Sequence, residues 1–485
     1  MKNWKVRRAI TPAEAIPESE RLHRSLSWPH LVALGVGAIV GTGILTLTGV
    51  GADRAGPAVL ISFCIAGLIC AGAALCYAEM STSIPASGSA YTYSYSVLGE
   101  LFAWIVGWSL ILEYSLVVST VAVGWAGYGN DWLTHNGLAL PGFLTHGPVL
   151  AGQQCGGPAQ QASFGINILA VLIIGIVAAL LNFGTRESAR VNTTLVVVKL
   201  ATLSLFVIVA LPYFNSANLH PFAPHGFFST PGPCARPYGV MPAAAIIFFA
   251  FYGFDAISTA AEEAKRPERD LAIGIVGSMI ACTLIYLIVA ATAVGAVHYT
   301  KFANSPEPLA LILREAGQGR IATIVSTGAV IALPTVILAF LYGQSRIFLV
   351  MARDGFFPKS FASIWKSRGT PARITTATAV IVALIAAVTP IDVIASLANA
   401  GTLCAFVAVA LCVIVSRRRD PGARRPFKTP LVWLVAPLTI VGCIYLFTNL
   451  SRLTITFFFV WNAIGLVIYW LYGAPRAERA RASRA

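Results

Sequence analysis

The stretch from Leu31 to Gly51, LVALGVGAIVGTGILTLTGVG, constrains the fold of this chain more than any other. It is long and apolar enough to cross a bilayer, which takes about 20 residues, yet the glycines around Thr42 leave its centre almost without side chains. A membrane helix can break only where the freed N–H and C=O groups line a cavity or meet a polar partner. We therefore predict two half-helices joined by an unwound turn, whose N–H groups can hold a carboxylate. Such a geometry is typical of secondary transporters.

The same glycines allow a second interpretation. Gly37 and Gly41 form a small-xxx-small pattern, which lets two membrane helices approach closely. From this stretch alone, an unwound turn and a close helix contact both stay open.

Composition places the chain in a membrane. Of its 485 residues, 57% are hydrophobic and 11% are charged, and the mean hydropathy is +0.75. Soluble domains carry about 25% charged residues, so we predict an all-α membrane protein whose surroundings are the lipid bilayer. The net charge of +14 must then be read loop by loop, and it does not indicate a nucleic-acid partner.

The basic residues are distributed unevenly between alternate loops. Of the 34 Lys and Arg, 27 lie in the N-terminal arm, in every second loop after it and in the C-terminal tail, and 6 lie on the opposite side. Cytoplasmic loops carry the excess of Lys and Arg. This asymmetry predicts a multi-pass protein of the cell inner (cytoplasmic) membrane, with both termini in the cytoplasm and an even number of spans.

Apolar runs long enough to cross a bilayer predict twelve transmembrane helices. We number them span 1 to span 12 in chain order: 30–51, 57–83, 99–126, 166–183, 190–212, 240–262, 272–297, 320–351, 373–389, 393–415, 432–448 and 455–472. The predicted units are a cytoplasmic N-terminal arm (1–29), a first repeat of spans 1–5 (30–212), a second repeat of spans 6–10 (240–415), spans 11 and 12 (432–472), and a cytoplasmic tail (473–485).

Span 6 repeats the interruption of span 1. The string FFAFYGFD, from Phe248 to Asp255, places a glycine and an acid among aromatic residues near mid-membrane. Interrupted helices at corresponding positions are expected of an inverted five-plus-five repeat. We predict this repeat, with broken helices 1 and 6, and we expect Asp255 to cap backbone groups that the break in span 6 frees.

Lys199 is the strongest single candidate for a functional residue, because this basic side chain lies inside span 5. A lone lysine within a span is costly unless it is paired or neutral, so it is a functional candidate. A buried amine gives up its proton more readily than an exposed one. We predict that Lys199 is charged in one transport state and neutral in another; the alternative is an amine that extends to the cytoplasmic interface.

Glu113 in span 3 is the second ionisable candidate. It either binds a cationic group of a substrate or forms hydrogen bonds with Tyr114 and neighbouring backbone, and the sequence leaves both open.

At the end of span 6, Glu262 and Glu263 are predicted to form a cytoplasmic charge network with three nearby bases, Lys265, Arg266 and Arg269. The hydroxyl-rich linker 83–91 either packs under span 1 or is a solvated loop.

The sequence gives little support for a disulfide-stabilised, metal-dependent or ATP-driven protein. Cys155 and Cys234 both lie in predicted outer loops, where a disulfide between them is possible in an oxidising compartment. The seven histidines lie in or beside loops, and the chain has no HExxH, CxxC or P-loop pattern. We therefore predict no metal site and no cofactor, and we expect neither an enzyme nor an ATP-driven pump.

Several strings resemble amino acid permeases of the amino acid–polyamine–organocation superfamily, and most of all its bacterial cationic amino acid transporter-like branch. They are GAIVGTGIL in span 1, SIPASGSAYTYSY after span 2, LILEY and VGWAGY in span 3, RESARVN before Lys199, FFAFYGFDAISTAAEEAKRPERDLAIGI in span 6 and LYGQSRIFLVMARDGFFP in span 8. The resemblance covers about residues 25–415.

The resemblance implies a substrate site at the two breaks. In such permeases the substrate carboxylate sits on N–H groups of the first break, here those of Val40, Gly41, Thr42 and Gly43. The ammonium group meets carbonyls of the second break, here those of Phe249, Ala250 and Tyr252. Lys199 resembles the lysine whose amine takes the place of a coupling cation between spans 1, 5 and 8, which makes a proton the coupling ion.

Two positions depart from the family pattern. Tyr252 stands where small or aliphatic residues are usual, and Leu333-Pro334 replaces a flexible pair in span 8. The resemblance places Leu333 in the subpocket for the substrate side chain, which the leucine and the rigid proline would narrow. We therefore expect small or medium neutral amino acids as substrates.

The sequence thus predicts a monomeric amino acid:proton symporter that works by alternating access. One alternative is an exchanger of cationic amino acids or polyamines, which Glu113 would favour. A more distant alternative is an amino acid sensor that binds its ligand without moving it.

Overall fold

The structure is a computed structural model, and it describes residues 6–7, 22–135, 137–138, 140–147, 164–231, 237–302, 305, 307–365, 368–389, 391–450 and 452–482. These residues are mostly helical. The strands among them are two short antiparallel pieces, Thr230–Pro231 and Pro237–Tyr238, in which Thr230 lies opposite Tyr238. The all-α prediction is confirmed.

The principal helices of the first half follow the predicted order. They are Trp28–Ile39, Thr42–Leu45 and Leu47–Ala55 in span 1, Val59–Ser83 in span 2, Ser89–Val97 in the linker, Glu100–His135 in span 3, Ile168–Phe183 in span 4 and Thr185–Ala210 in span 5. Those of the second half are Val240–Ile247, Phe248–Ala250 and Asp255–Thr259 in span 6, Pro267–Ala296 in span 7, Pro308–Glu315 before span 8, Gly319–Ala332 and Pro334–Arg353 in span 8, Ala372–Val388 in span 9 and Ile391–Arg419 in span 10. Val432–Thr448 forms span 11, Arg452–Ile468 forms span 12, and Tyr469–Gly473 and Ala474–Ala482 follow it.

Helix length and hydropathy identify the membrane-spanning segments. Within the described residues, nine helical segments are long and apolar enough to cross a bilayer, and three shorter apolar helices occupy spans 4, 9 and 11. Together they fall at the twelve predicted positions. A multi-pass helical membrane protein is therefore confirmed, while the count of twelve stays a prediction.

Span 1 is broken where its glycines predict. The first helix ends at Ile39, and Gly41 has φ −148° and ψ −142°, which no helix accommodates. The glycines also permit close packing, so both interpretations of the stretch hold. A Cβ added at Gly41 would lie 2.6 Å from Val336 of span 8, and one at Gly37 would lie 2.9 Å from Asn192 of span 5.

Span 6 is broken in the same way. A helix ends at Ile247, a single 3₁₀ turn follows, and residues 251–254 are turns before the chain resumes as a helix at Asp255. Gly253 has φ +123°, a backbone conformation that L side chains rarely adopt. A Cβ at this position would also lie 2.9 Å from the Cβ of Ala38 in span 1. The turn therefore needs glycine for its conformation and for its contact.

The neighbours in the bundle match the predicted inverted repeat. Span 2 packs against span 7, span 3 against span 8, and span 4 against span 9. In a five-plus-five repeat these are the corresponding helices of the two units. The breaks of spans 1 and 6, another corresponding pair, also lie against each other.

Two local predictions differ from the structure. The segment between the predicted spans 4 and 5 is reduced to Gly184, because the polar string after it forms the first turns of the span 5 helix. Several charged and small residues have high helix propensity outside the membrane as well, so a polar string can form the first turns of a membrane helix. Span 8, expected as one helix, is two helices that meet at Leu333-Pro334, since proline removes a helix hydrogen bond.

Both described ends of the chain are attached to the bundle. The backbone N–H groups of Ser25 and Leu26 donate to the carbonyl of Glu263, each at 2.9 Å. In the predicted tail, the helix Ala474–Ala482 places Arg481 in an ion pair with the buried Glu100. The arm and the tail are therefore anchored where they meet the spans.

We expect Gly253→Ala to destabilise the protein. A side chain at φ +123° is strained, and the new methyl group would overlap span 1, so the free energy of unfolding should fall by about 1–3 kcal/mol. Thermal unfolding in detergent would measure the change.

Gly277→Ala is the matched control for Gly253→Ala. This glycine lies within the helix of span 7, and its Cβ would find Val32 at 3.9 Å, an ordinary contact. Alanine favours the helix, so the melting temperature should stay or rise. Equal melting temperatures for both variants and the native protein would contradict the proposed role of Gly253.

Candidate functional site

The breaks in spans 1 and 6 lie against each other. A Cβ added at Gly43 would lie 2.5 Å from the Cα of Ala250, so the two backbones are in direct contact. The hydroxyl of Tyr286 in span 7 contacts both breaks, at 2.6 Å from the carbonyl oxygen of Ile39 and 2.8 Å from that of Ala250. A single buried hydroxyl thus holds the two interruptions together.

The first break supplies backbone N–H groups. The predicted carboxylate-binding residues occupy consecutive positions at this break and are all buried: Val40, Gly41, Thr42 and Gly43. The N–H of Val40 still donates to Val36, at 2.9 Å, whereas a helix starts anew at Thr42. Because the first N–H groups of a helix have no acceptor within it, this end can receive an anion. Val40 differs from the other three, since its N–H is already used.

The second break supplies carbonyl groups. Of the three predicted to meet an ammonium group, that of Ala250 already accepts the Tyr286 hydroxyl. In the described part of the chain, no side chain donates to the carbonyls of Phe249 or Tyr252. The three carbonyls are therefore not equivalent, and Phe249 and Tyr252 are the better placed to bind a substrate.

Aromatic rings surround the second break. The Tyr252 ring lies 4.9 Å from that of Phe249 and 6.0 Å from that of Phe340 in span 8, measured between centroids. The Phe340 ring also contacts Tyr114 of span 3, at 5.1 Å. The Tyr252 hydroxyl is buried and has no hydrogen-bond partner among the described residues. Spans 3, 6 and 8 thus form an apolar wall with one unused hydroxyl.

Asp255 caps the second break, as the sequence predicts. Its carboxylate accepts a hydrogen bond from the N–H of Gly253, at 3.1 Å, and another from the hydroxyl of Tyr114. The residue is buried. Tyr114 therefore bonds to Asp255 and not to Glu113, its neighbour in sequence.

Lys199 lies at the first break. Its side chain is 1% exposed, and its amine donates to the carbonyls of Gly37, at 3.0 Å, and Val40. It also contacts the hydroxyl of Thr335 in span 8, at 2.5 Å. The amine thus joins spans 1, 5 and 8, and the alternative in which it extends to the interface is wrong.

Glu113 is buried and unpartnered. Its side chain is 0% exposed, and neither carboxylate oxygen has a hydrogen-bond partner among the described residues. Span 10 packs closely against Glu113, because a Cβ added at Gly401 would lie 2.9 Å from the Cβ of Glu113. The structural alternative, a hydrogen bond to Tyr114, is therefore not observed.

Leu333 is fully buried at the junction of the two helices of span 8. One turn further, Val336 contacts the first break at Gly41. The kink at Leu333-Pro334 therefore lies beside the broken helix, and the role of Leu333 in the side-chain pocket stays a prediction.

The predicted cytoplasmic charge network exists, but its bases come from span 8. Glu263 pairs with Arg346 at 2.9 Å and Glu262 pairs with Arg353 at 2.8 Å, and all four side chains are buried. The expected partners, Lys265, Arg266 and Arg269, are exposed. They stay in water, whereas the two arginines of span 8 need counter-ions inside the protein.

The linker after span 2 is not a solvated loop, because it packs against span 6. The Ser258 hydroxyl of span 6 lies 2.7 Å from that of Ser89. The N–H of Ser87 donates to the carboxylate of Glu262 at 3.2 Å. Cys155 and Cys234, the predicted disulfide pair, lie outside the described residues.

Tyr286 and Thr335 are the candidate residues that the sequence did not reveal. Each is a hydroxyl within an apolar span, and such groups usually bond to their own helix. Their position in the sequence could have identified them, because Tyr286 and Thr335 lie at mid-span, where broken helices leave free carbonyls.

Comparisons with known proteins identify the family. The amino acid permease family model matches residues 26–471. The branched-chain amino acid permease BcaP of Bacillus subtilis is 44% identical over 458 residues, 94% of each chain, and the methylthioribose transporter of the same organism is 39% identical over 467 residues, 96% of this chain and 97% of its own. The vacuolar cationic amino acid transporter 4 of Arabidopsis thaliana is 36% identical over 411 residues, 83% of this chain and 64% of its own. The chain is therefore a membrane transporter and not an enzyme, and it belongs to the amino acid permease family.

Proposed function

We propose that this protein is a proton-coupled symporter of the cytoplasmic membrane that takes up small or medium neutral L-amino acids by alternating access. The observation that carries the proposal is the amine of Lys199 on the carbonyls of the first break. The same break offers free N–H groups for a substrate carboxylate, so proton and substrate would act on one element.

The substrate would bind between the two breaks. Its carboxylate would accept hydrogen bonds from the N–H groups of Gly41, Thr42 and Gly43, where a helix begins. Its ammonium group would donate to the carbonyls of Phe249 and Tyr252. Both partners are backbone groups, so they recognise any α-amino acid and leave selectivity to the pocket for the side chain.

The number of hydrogen-bond donors on Lys199 supports the proposed proton coupling. A protonated amine has three N–H donors, which match its three oxygen partners on Gly37, Val40 and Thr335. The neutral amine has two N–H donors and a lone pair. Loss of the proton therefore either removes one N–H contact of Lys199 or requires the Thr335 hydroxyl to donate to the lone pair and give up its own hydrogen bond to Gly37 or Ala332. Either change would loosen the contacts of the first break.

The side-chain pocket favours apolar substrates. Leu333 and the rings of Tyr252 and Phe340 contribute apolar surface near the breaks. The name of the Bacillus subtilis relative BcaP specifies branched-chain amino acids, which agrees with such a pocket. We infer that neutral side chains are preferred to a guanidinium group.

Lys199→Ala should uncouple transport from the proton gradient. In proteoliposomes, uptake of labelled alanine driven by an acidic exterior should fall by about tenfold or more, because hydrogen bonds to a charged group are lost. Counterflow exchange of alanine, which needs no gradient, should persist.

Lys301→Ala is the control for Lys199→Ala. Lys301 is an exposed lysine that pairs with Glu315, so its loss should leave gradient-driven uptake unchanged. If Lys199→Ala protein still accumulates alanine in response to the gradient, the proposed coupling is wrong.

Leu333→Ala should widen the side-chain pocket. The rate of phenylalanine uptake relative to alanine uptake should rise severalfold, because a smaller residue makes room for a larger ring. Leu271→Ala removes an equally buried leucine from span 7 and should lower stability without changing that ratio. An unchanged ratio in Leu333→Ala would exclude Leu333 from the pocket.

A second candidate substrate class is favoured by Glu113. A buried carboxyl group without a partner could receive a cationic side chain, and several relatives are named cationic amino acid transporters. Under the main proposal, excess arginine should not inhibit alanine uptake. Inhibition by arginine that disappears in Glu113→Gln would instead assign the protein to cationic amino acids.

A further inference from the structure

A cavity of about 880 Å³ lies at the predicted cytoplasmic ends of spans 4 and 9. It is lined by the end of span 4, the first turns of span 9 and the segment that joins spans 8 and 9. Among the described residues that line it, none belongs to the substrate or proton proposal. The cavity therefore needs an explanation of its own.

Two arginines give this cavity positive charge. Arg373 lines it, and Arg368 lies beside it, with its guanidinium carbon 4.5 Å from the ring centroid of Trp365 and 5.1 Å from that of Phe183. Arg368 also donates to the carbonyl of Asn182 at 3.4 Å. Within the described ranges, neither arginine forms an ion pair with an acidic residue. Both side chains are exposed and can pair with an anion.

Neutral polar groups line the same cavity. Ser363 and Thr376 contribute hydroxyls, and the side-chain amide of Asn182 donates to Thr376 at 3.0 Å. The side-chain oxygen of Asn182 is buried and has no hydrogen-bond partner among the described residues. Glu187, an acid in the same region, lies over Gly184 and does not line the cavity. The lining therefore suits a ligand that combines negative charge with hydrogen-bonding groups.

Apolar side chains are exposed next to the cavity and along the two helices that line it. Trp365 is 49% exposed at its edge, and tryptophan is enriched where membrane meets water. Exposed aliphatic side chains follow the same two helices into the membrane: Leu172 and Ile176 on span 4, and Val380, Ile381 and Leu384 on span 9. A soluble anion would leave this apolar surface unused, whereas a lipid would cover it.

The geometry points to a binding site for an anionic phospholipid of the cytoplasmic leaflet. Its phosphate lies between Arg368 and Arg373, because guanidinium groups bind phosphate oxygens through paired hydrogen bonds. Its headgroup hydrogen-bonds to Asn182 and Thr376, and its acyl chains follow spans 4 and 9. Basic pockets between membrane helices on the cytoplasmic side bind lipid headgroups in this way.

Native mass spectrometry of the purified, full-length protein tests this site. The protein is presented with equal amounts of phosphatidylglycerol and phosphatidylcholine, and the lipids retained on the protein are counted. The native protein should retain phosphatidylglycerol in preference. The double variant Arg368→Gln/Arg373→Gln should lose that preference by about tenfold or more. Arg368→Lys/Arg373→Lys keeps both charges but loses the paired hydrogen bonds, so it should keep only part of the preference.

Arg424→Gln is the matched control for charge. Arg424 is an exposed arginine between spans 10 and 11 and pairs with Glu268, so its loss should leave lipid retention unchanged. Melting temperatures of all variants separate lipid loss from unfolding, and the lysine variant tests the site if the glutamine variant does not fold. Equal retention by the native protein and the double variant would overturn the proposal. So would displacement of phosphatidylglycerol by glycerol phosphate at equal concentration, which would assign the cavity to a soluble anion.

Discussion

The need to satisfy backbone groups inside a membrane governs this structure. Water cannot pair with the N–H and C=O groups that the breaks in spans 1 and 6 free, so other spans must supply the partners. Lys199 from span 5 reaches the carbonyls of the first break, and Tyr286 from span 7 reaches both breaks. Asp255 caps the second break from within its own span. The conformation of each break therefore depends on helices that are distant in sequence, which makes these positions responsive to the rest of the protein.

Local rules predicted much of this arrangement. The glycines around Thr42 fix the first break, because no other residue type leaves a span so poor in helix-forming side chains. Asp255 follows the second break by two residues, within reach of the N–H that it caps. Lys199 was identifiable because a charge inside a span requires a reason. In each case the signal itself lies within a few residues or on a single helix, even where the partners, as for Lys199, are distant in sequence.

The predictions that failed depend on partners far away in sequence. Glu262 and Glu263 have bases only a few residues further along the chain, but these are exposed and hydrated, and the buried arginines of span 8 take their place. Tyr286 was missed for a related reason, because its partners belong to spans 1 and 6. Hydroxyls in apolar helices commonly bond to the carbonyl one turn earlier, as Thr283 does in the same span. Which hydroxyls instead bridge helices depends on the packing of the whole bundle.

Glu263 connects the breaks to the predicted cytoplasmic side. Its carbonyl accepts the N–H groups of Ser25 and Leu26, just before span 1, and its carboxylate pairs with Arg346 of span 8. The inner ends of spans 1, 6 and 8 therefore meet at one residue. Separating a buried ion pair costs about 3–5 kcal/mol when a partner is left alone. A ligand shifts a conformational equilibrium only by its difference in affinity between the two states. Opening toward the cytoplasm thus requires either that these three ends move together or that a bound ligand supplies a difference of that size. Under the proposed proton coupling, the contacts of Lys199 with spans 1 and 8 would let the proton act on two of these three spans.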